Sequence, residues 1–303
     1  MIRRSILFIL LGSCAISGCN KGNPVSSNPN IKNIYFTISE AGLRYPRAGE
    51  HYFLWIKTVH DTSWQEIAQV DTFKFNDTTY ISKEFSSDIA IDSITAVQVT
   101  LQPSNVSVPI LDFPVLEGHS FSYDSAHKTT VSPLISKKTL GDFSAMQGGL
   151  VFTSTKPDSL AYTHEFYLMN YTASLQTPSL LSLPVPPNGW KYGLWAIDSA
   201  FTPHEFFFYG LFTNPSGHDS DSTNDYYPFP GGWKPQQMNF GNGSIIVTLE
   251  PLLYGDSLKY KGPSPFTLLN FNRILFIEKN RNYPMTNISA QGVPNGYILF
   301  RHY

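Results

Sequence analysis

One segment of this chain occurs twice, and that constrains its architecture more than any other feature. Pro46-Arg-Ala-Gly49-Glu-His-Tyr52-Phe-Leu54-Trp55 returns 140 residues later as Pro186-Pro-Asn-Gly189-Trp-Lys-Tyr192-Gly-Leu194-Trp195. Val99-Thr-Leu-Gln-Pro103 follows the first Trp, and Val247-Thr-Leu-Glu-Pro251 follows the second at an offset of 148 residues. Two matched landmarks in the same order define a duplicated unit whose later copy carries a net eight extra residues between them.

The repeated segments read as strands. Tyr52, Leu54 and Ile56 fall on one face of an extended segment, and Phe53, Trp55 and Lys57 on the other. Val97, Val99 and Leu101 alternate with Gln98, Thr100 and Gln102, and Ile245, Val247 and Leu249 with Ile246, Thr248 and Glu250. Each buried aliphatic contributes about 1.5–3 kcal/mol, so these strands should hold the modules together. Pro103 and Pro251 close them, because proline cannot donate to a central ladder. Ile34 to Ile38 and Leu150 to Thr153 are further strands, and Glu165 to Met169 reads as one added in the second copy. Sustained helical periodicity is nearly absent, with Asp61 to Gln69 the closest to it. The expected fold is all-β, with two tandem β-sandwich-like domains over residues 32–140 and 145–303 and a boundary within Lys137 to Gly149. A charged fraction of 15% beside an aromatic fraction of 15% suits an extracytoplasmic β protein.

Arg3 and Arg4 precede a mostly apolar run, Ile6 to Ala15, that is too short to span a bilayer as a mature helix. The run ends in Ile16-Ser-Gly-Cys19, which resembles a bacterial lipobox. Residues 1–18 are therefore expected to be a lipoprotein signal peptide, Cys19 the lipidated residue, and 19–31 a flexible, Pro-interrupted tether. Cys14 would leave with the signal, so no intramolecular disulfide is expected and stability should come from apolar burial. Loss of Arg3 and Arg4 takes the formal charge from -2 to -4, which leaves no basic footprint for nucleic acid. Asn20 rather than an aspartate after the lipidated Cys favours the outer membrane.

The second copy resembles a known family. Leu183-Pro-Val-Pro-Pro-Asn-Gly-Trp-Lys-Tyr-Gly-Leu-Trp-Ala-Ile197, then Tyr209-Gly-Leu-Phe-Thr213, then Ile246-Val-Thr-Leu-Glu-Pro251 is similar to the C-terminal extracytoplasmic domain of anti-sigma-K factors. The resemblance spans residues 149–275 and, more faintly, 31–115. It implies a small β-sandwich-like fold and brings no catalytic residues. The sigma-binding helices and membrane-spanning helix of that family have no counterpart in the sequence, so direct inhibition of a sigma factor is not implied.

Candidate chemistry is sparse. Asp219, Asp221, Thr223 and Asp225 alternate along a loop as oxygen ligands do around Ca2+, although the Gly and terminal Glu of an EF-hand are missing. A solvated hairpin tip has the same composition. Tyr226, Tyr227, Phe229 and Trp233 follow, either as a glycan-stacking surface or as packing anchors. The sequence has no Gly-x-Ser-x-Gly elbow and no His-Glu-x-x-His motif. The pairs His60-Asp61, His164-Glu165 and His204-Glu205 are sequence neighbours, which point to opposite faces of a strand. The expectation is a non-catalytic envelope lipoprotein that binds or scaffolds an extracytoplasmic partner. A glycan- or calcium-dependent adhesion protein is the alternative, and an envelope hydrolase the third.

Overall fold

Both copies of the repeat open on the same turn. In a computed structural model of the chain, the Glu50 N–H donates to the Arg47 carbonyl and the Trp190 N–H to the Pro187 carbonyl, each at 2.9 Å. Gly49 (φ 93°) and Gly189 (φ 81°) hold the left-handed position that a type II turn requires of its third residue. The structure describes residues 32–38, 46–47, 49–70, 81–103, 113–155, 164–171, 175–198, 204–214, 231–232, 243–252, 262–272 and 278–301.

The first half of the chain runs through β1 (Lys32–Ile38), β2 (Glu50–Thr58), β3 (Gln65–Gln69), β4 (Ile81–Ser87), β5 (Ile94–Pro103), β6 (Pro114–Gly118), β7 (Ser122–Asp124) and β8 (Thr129–Ile135). The second half continues with β9 (Gly148–Thr155), β10 (His164–Tyr167), β11 (Met169–Tyr171), β12 (Gln176–Pro178), β13 (Trp190–Asp198), β14 (Glu205–Phe212) and β15 (Gly231–Gly232). It closes with β16 (Gly243–Pro251), β17 (Thr267–Asn272), β18 (Asn282–Asn287), the short helix α1 (Ser289–Gly292) and β19 (Asn295–Arg301). The fold is all-β, as expected.

The repeat in sequence is a repeat in register. Tyr52 stands opposite Leu101 and Leu54 opposite Val99 across β2 and β5, and Tyr192 opposite Leu249 and Leu194 opposite Val247 across β13 and β16. The irregularities recur as well. Pairing with β3 or β14 shifts at Leu54/Trp55 and at Leu194/Trp195, and pairing with β6 or β17 shifts at Val99/Thr100 and at Val247/Thr248.

Sheet 1 has the order β3-β2-β5-β6-β8-β19-β1-β4, with β7 added on β8, and sheet 2 the order β14-β13-β16-β17-β18-β9-β10-β15. Both sheets curl into barrel or half-barrel shapes, and their end strands, β3 with β4 and β14 with β15, approach one another. Position by position, β10 takes the place of β1. The segment expected as an addition to the second copy is thus the counterpart of a strand in the first.

The place that β9 fills in sheet 2 is filled in sheet 1 by β19, from the far end of the described chain. β19 pairs with β1 on one side and β8 on the other, and its Ile298 and Phe300 are fully buried. Without it, β1 and β8 would each present an unpaired row of backbone donors and acceptors. Residues 145–303, expected as one domain, are therefore shared between the two sheets.

The stretch expected as the inter-domain boundary is itself packed. It buries Leu140, Phe143 and Met146, and the Asn287 amide donates to the carbonyls of Phe143 (2.9 Å) and Met146 (2.8 Å). Buried residues of both sheets join one contiguous apolar cluster. Asp61 to Gln69 is not helical: the Asp61 carboxylate accepts the Ser63 N–H at 2.9 Å, an Asx turn that competes with helix, and β3 follows. Among the described residues no helix is long and apolar enough to cross a membrane.

Candidate functional site

Cys19, the loop ligands Asp219, Asp221, Thr223 and Asp225, and the aromatics Tyr226, Tyr227, Phe229 and Trp233 all lie outside the described residues. Among the described residues, no three His, Cys, Asp or Glu side chains come together to hold a metal ion. Two other features organise the polar and aromatic chemistry.

The first is a closed polar junction, which gives the Thr-Leu-Gln/Glu-Pro motif its meaning. Both faces of β5 are buried, Thr100 and Gln102 included. The Trp55 indole N–H donates to the Thr100 hydroxyl at 2.8 Å, and the Gln102 amide donates to the same oxygen at 2.8 Å. In the second copy Glu250 replaces Gln102 and collects the donors: the Trp195 indole N–H at 2.9 Å, the Ser264 backbone N–H at 2.9 Å, and the Thr248 hydroxyl. A Cβ on Gly193 would lie 2.6 Å from Glu250 Cγ and 2.9 Å from Trp195 Nε1, so glycine stands where the first copy has Phe53.

Arg47 crosses from the first copy to the second. Its Nη1 donates to Glu250 Oε2 at 2.8 Å and its Nε to Glu50 Oε1 at 2.8 Å. Both carboxylates are fully buried and the Arg47 side chain nearly so. Burial pushes the Glu50 carboxyl above its ordinary 4.5; the Arg47 charge and hydrogen bonds oppose this, and the Glu250 charge adds to it.

The reciprocal contact is apolar. The second copy's turn meets Phe113 of the first, where a Cβ on Gly189 would come within 2.8 Å of Phe113 Cε1. Trp190 sits edge-on between Phe113 (6.0 Å) and Phe266 (5.6 Å). Each turn thus docks on the other copy, once through charge and once through rings. Sequence reasoning missed Arg47 and Glu50, and the exchange of Gln102 for Glu250 between copies was the available signal.

The second feature is an open face. Across β1, β19 and β8, Tyr35 stands opposite Leu299 and Leu299 opposite Val131; further along, Tyr297 faces Pro133 and Asn295 faces Ile135. Tyr297 (38% exposed) and Ile135 (36%) point outward, while Tyr35, Leu299 and Val131 are half-buried. The Arg301 guanidinium stacks 4.4 Å from the Tyr35 ring centroid, and the Tyr35 hydroxyl donates to Glu84 at 2.8 Å. The result is an apolar and aromatic strip with charged groups at its rim: Arg301 and Glu84 beside Tyr35, and Glu117 opposite Ile135.

No family model, curated protein or solved structure matches this chain.

Proposed function

We propose that this chain is a non-catalytic, lipid-anchored protein of the bacterial cell envelope, in the outer membrane, that binds or scaffolds an extracytoplasmic partner. The observation that carries this reading is the outward strip of β8, β19 and β1. Exposed aromatic and aliphatic side chains gathered on one face and rimmed by charge are the composition of an interaction surface. The charged groups of the junction are committed to contacts within the fold, which suits a rigid support. The lipobox-like segment ending at Cys19 and the resemblance to an extracytoplasmic domain of anti-sigma-K factors agree with this placement.

The test is chemical crosslinking of the tagged, lipidated chain in cells, followed by recovery from the envelope fraction. One stoichiometric protein is expected, and it should be lost from a chain carrying Tyr297→Asp and Ile135→Asp. Recovery of no partner, or of one the double variant retains, would sink the proposal.

A further inference from the structure

The second repeat shows what covers this face when it is covered. The row Tyr35, Leu299, Val131 in sheet 1 has its counterpart in sheet 2 as Tyr167, Val151, Asn282, set by the same three-strand register. There the two-stranded ribbon β11–β12 lies on the row. Met169 packs with Val151 and Tyr167, Tyr171 flanks them, and these three buried side chains are at most 1% exposed. Asn282 fastens the ribbon, accepting the Tyr171 N–H at 2.7 Å and donating to the Tyr171 carbonyl at 3.0 Å. The ribbon belongs to residues 168–189, between β10 and β13; the matching connection between β1 and β2 is residues 39–49, about half as long.

We infer that the outward face of β1, β19 and β8 is a docking site for a two-stranded β-ribbon of another protein, which supplies in trans the apolar cover that β11–β12 supplies in cis. This rests on the partner-binding reading above and gives it a place and a partner shape. Two differences between the rows define the occupant. Val131 stands where Asn282 stands, so the ribbon is held by apolar side chains and not by an amide bonded to its backbone. Tyr297 stands where Gly149 stands. In sheet 2 that glycine lets the end of the ribbon close in, with the Ser179 hydroxyl donating to the Gly149 carbonyl. In sheet 1 the Tyr297 ring takes that space, so the occupant packs beside the ring, over Val131 and Leu299, with its apolar side chains against the face as in sheet-on-sheet packing.

The experiment places a photoreactive phenylalanine analogue at Val131 or at Leu299 of the full-length, lipidated chain, with Val185, 89% exposed, as the control position. After irradiation in cells, adducts are expected at 131 and 299 with one protein, mapping to a β-hairpin of that protein. Their yield should fall roughly tenfold when Tyr297→Asp is added, while the thermal melt of that outward-facing variant stays as in the parent. Adducts at 131 or 299 with a helical segment or with a second copy of this chain would overturn the ribbon site and leave partner binding at this face standing, whereas adducts from position 185 alone would overturn both. Absence of adducts at all three positions would overturn both.

Discussion

Trp55 and Trp195 occupy the same register position in the two repeats, yet one indole N–H donates to the neutral hydroxyl of Thr100 and the other to the buried carboxylate of Glu250. A hydrogen bond to a charged group contributes about 1.5–3 kcal/mol, against about 0.5–1.5 kcal/mol for a neutral pair. Trp195→Phe should therefore destabilise the chain more than Trp55→Phe, although the same atoms are removed. Trp195→Ala, which also opens a cavity, should cost about 3–5 kcal/mol. Denaturant unfolding of the three variants checks this, and equal losses for the two Phe variants would contradict the assigned partners.

The Arg47 junction makes stability depend on pH in a direction that can be worked out. Glu50 titrates above 4.5 in the fold and near 4.5 when unfolded, so between those values the folded chain holds a proton that the unfolded chain gives up. Stability should fall as pH rises through that window and level off above the folded value. Asp142, which Lys137 and Ser144 hold at about 2 in the fold against an ordinary 3.8, acts with the opposite sign, and its window lies below that of Glu50. Thermal melts across the window should show the slope in the parent and a flatter profile in Glu50→Gln. An unchanged slope in that variant would remove Glu50 as the cause.

Much of this fold was legible in the alternation of residues. Tyr52, Leu54 and Val99 announced strands whose apolar face is buried, and two spaced landmarks announced two copies of one register. Pairing between distant segments was not. Asn295–Arg301 alternates like any half-buried strand, and nothing local in it names β1 and β8 as neighbours, because the partner of a strand is fixed by the whole topology. Arg47 likewise meets Glu250 at a separation of 203 residues. That contact had one sequence correlate: a carboxylate in place of Gln102 at a buried position calls for a cation. The outward face was invisible because its significance lies in a ribbon that the second copy lays on the matching row, a contact between segments that no local pattern announces.

β19 links the fates of the two repeats. It follows α1, where a Cβ on Gly292 would collide with the Thr267 backbone of sheet 2, and then completes sheet 1. Ile298→Ala should cost about 2–5 kcal/mol and should lower the unfolding of both sheets together, seen as one transition by circular dichroism and by tryptophan fluorescence. Two separated transitions, only one of them shifted, would show that the repeats are independent units.

Gly189 and Phe113 offer the sharpest test of the neutral half of the junction. At φ 81° an L-residue is disfavoured by about 1–2 kcal/mol, and a methyl there would lie 2.8 Å from the Phe113 ring. Gly189→Ala should therefore lose more stability than backbone strain alone accounts for. Phe113→Leu in the same chain shortens the opposing side chain and should return the part due to collision, leaving the part due to φ. A double-mutant cycle measured by denaturant unfolding isolates that coupling, expected at about 0.5–3 kcal/mol for residues in contact. Simple additivity would mean that the turn of the second copy does not rest on the first, and the reciprocal docking of the repeats would then depend on Arg47 alone.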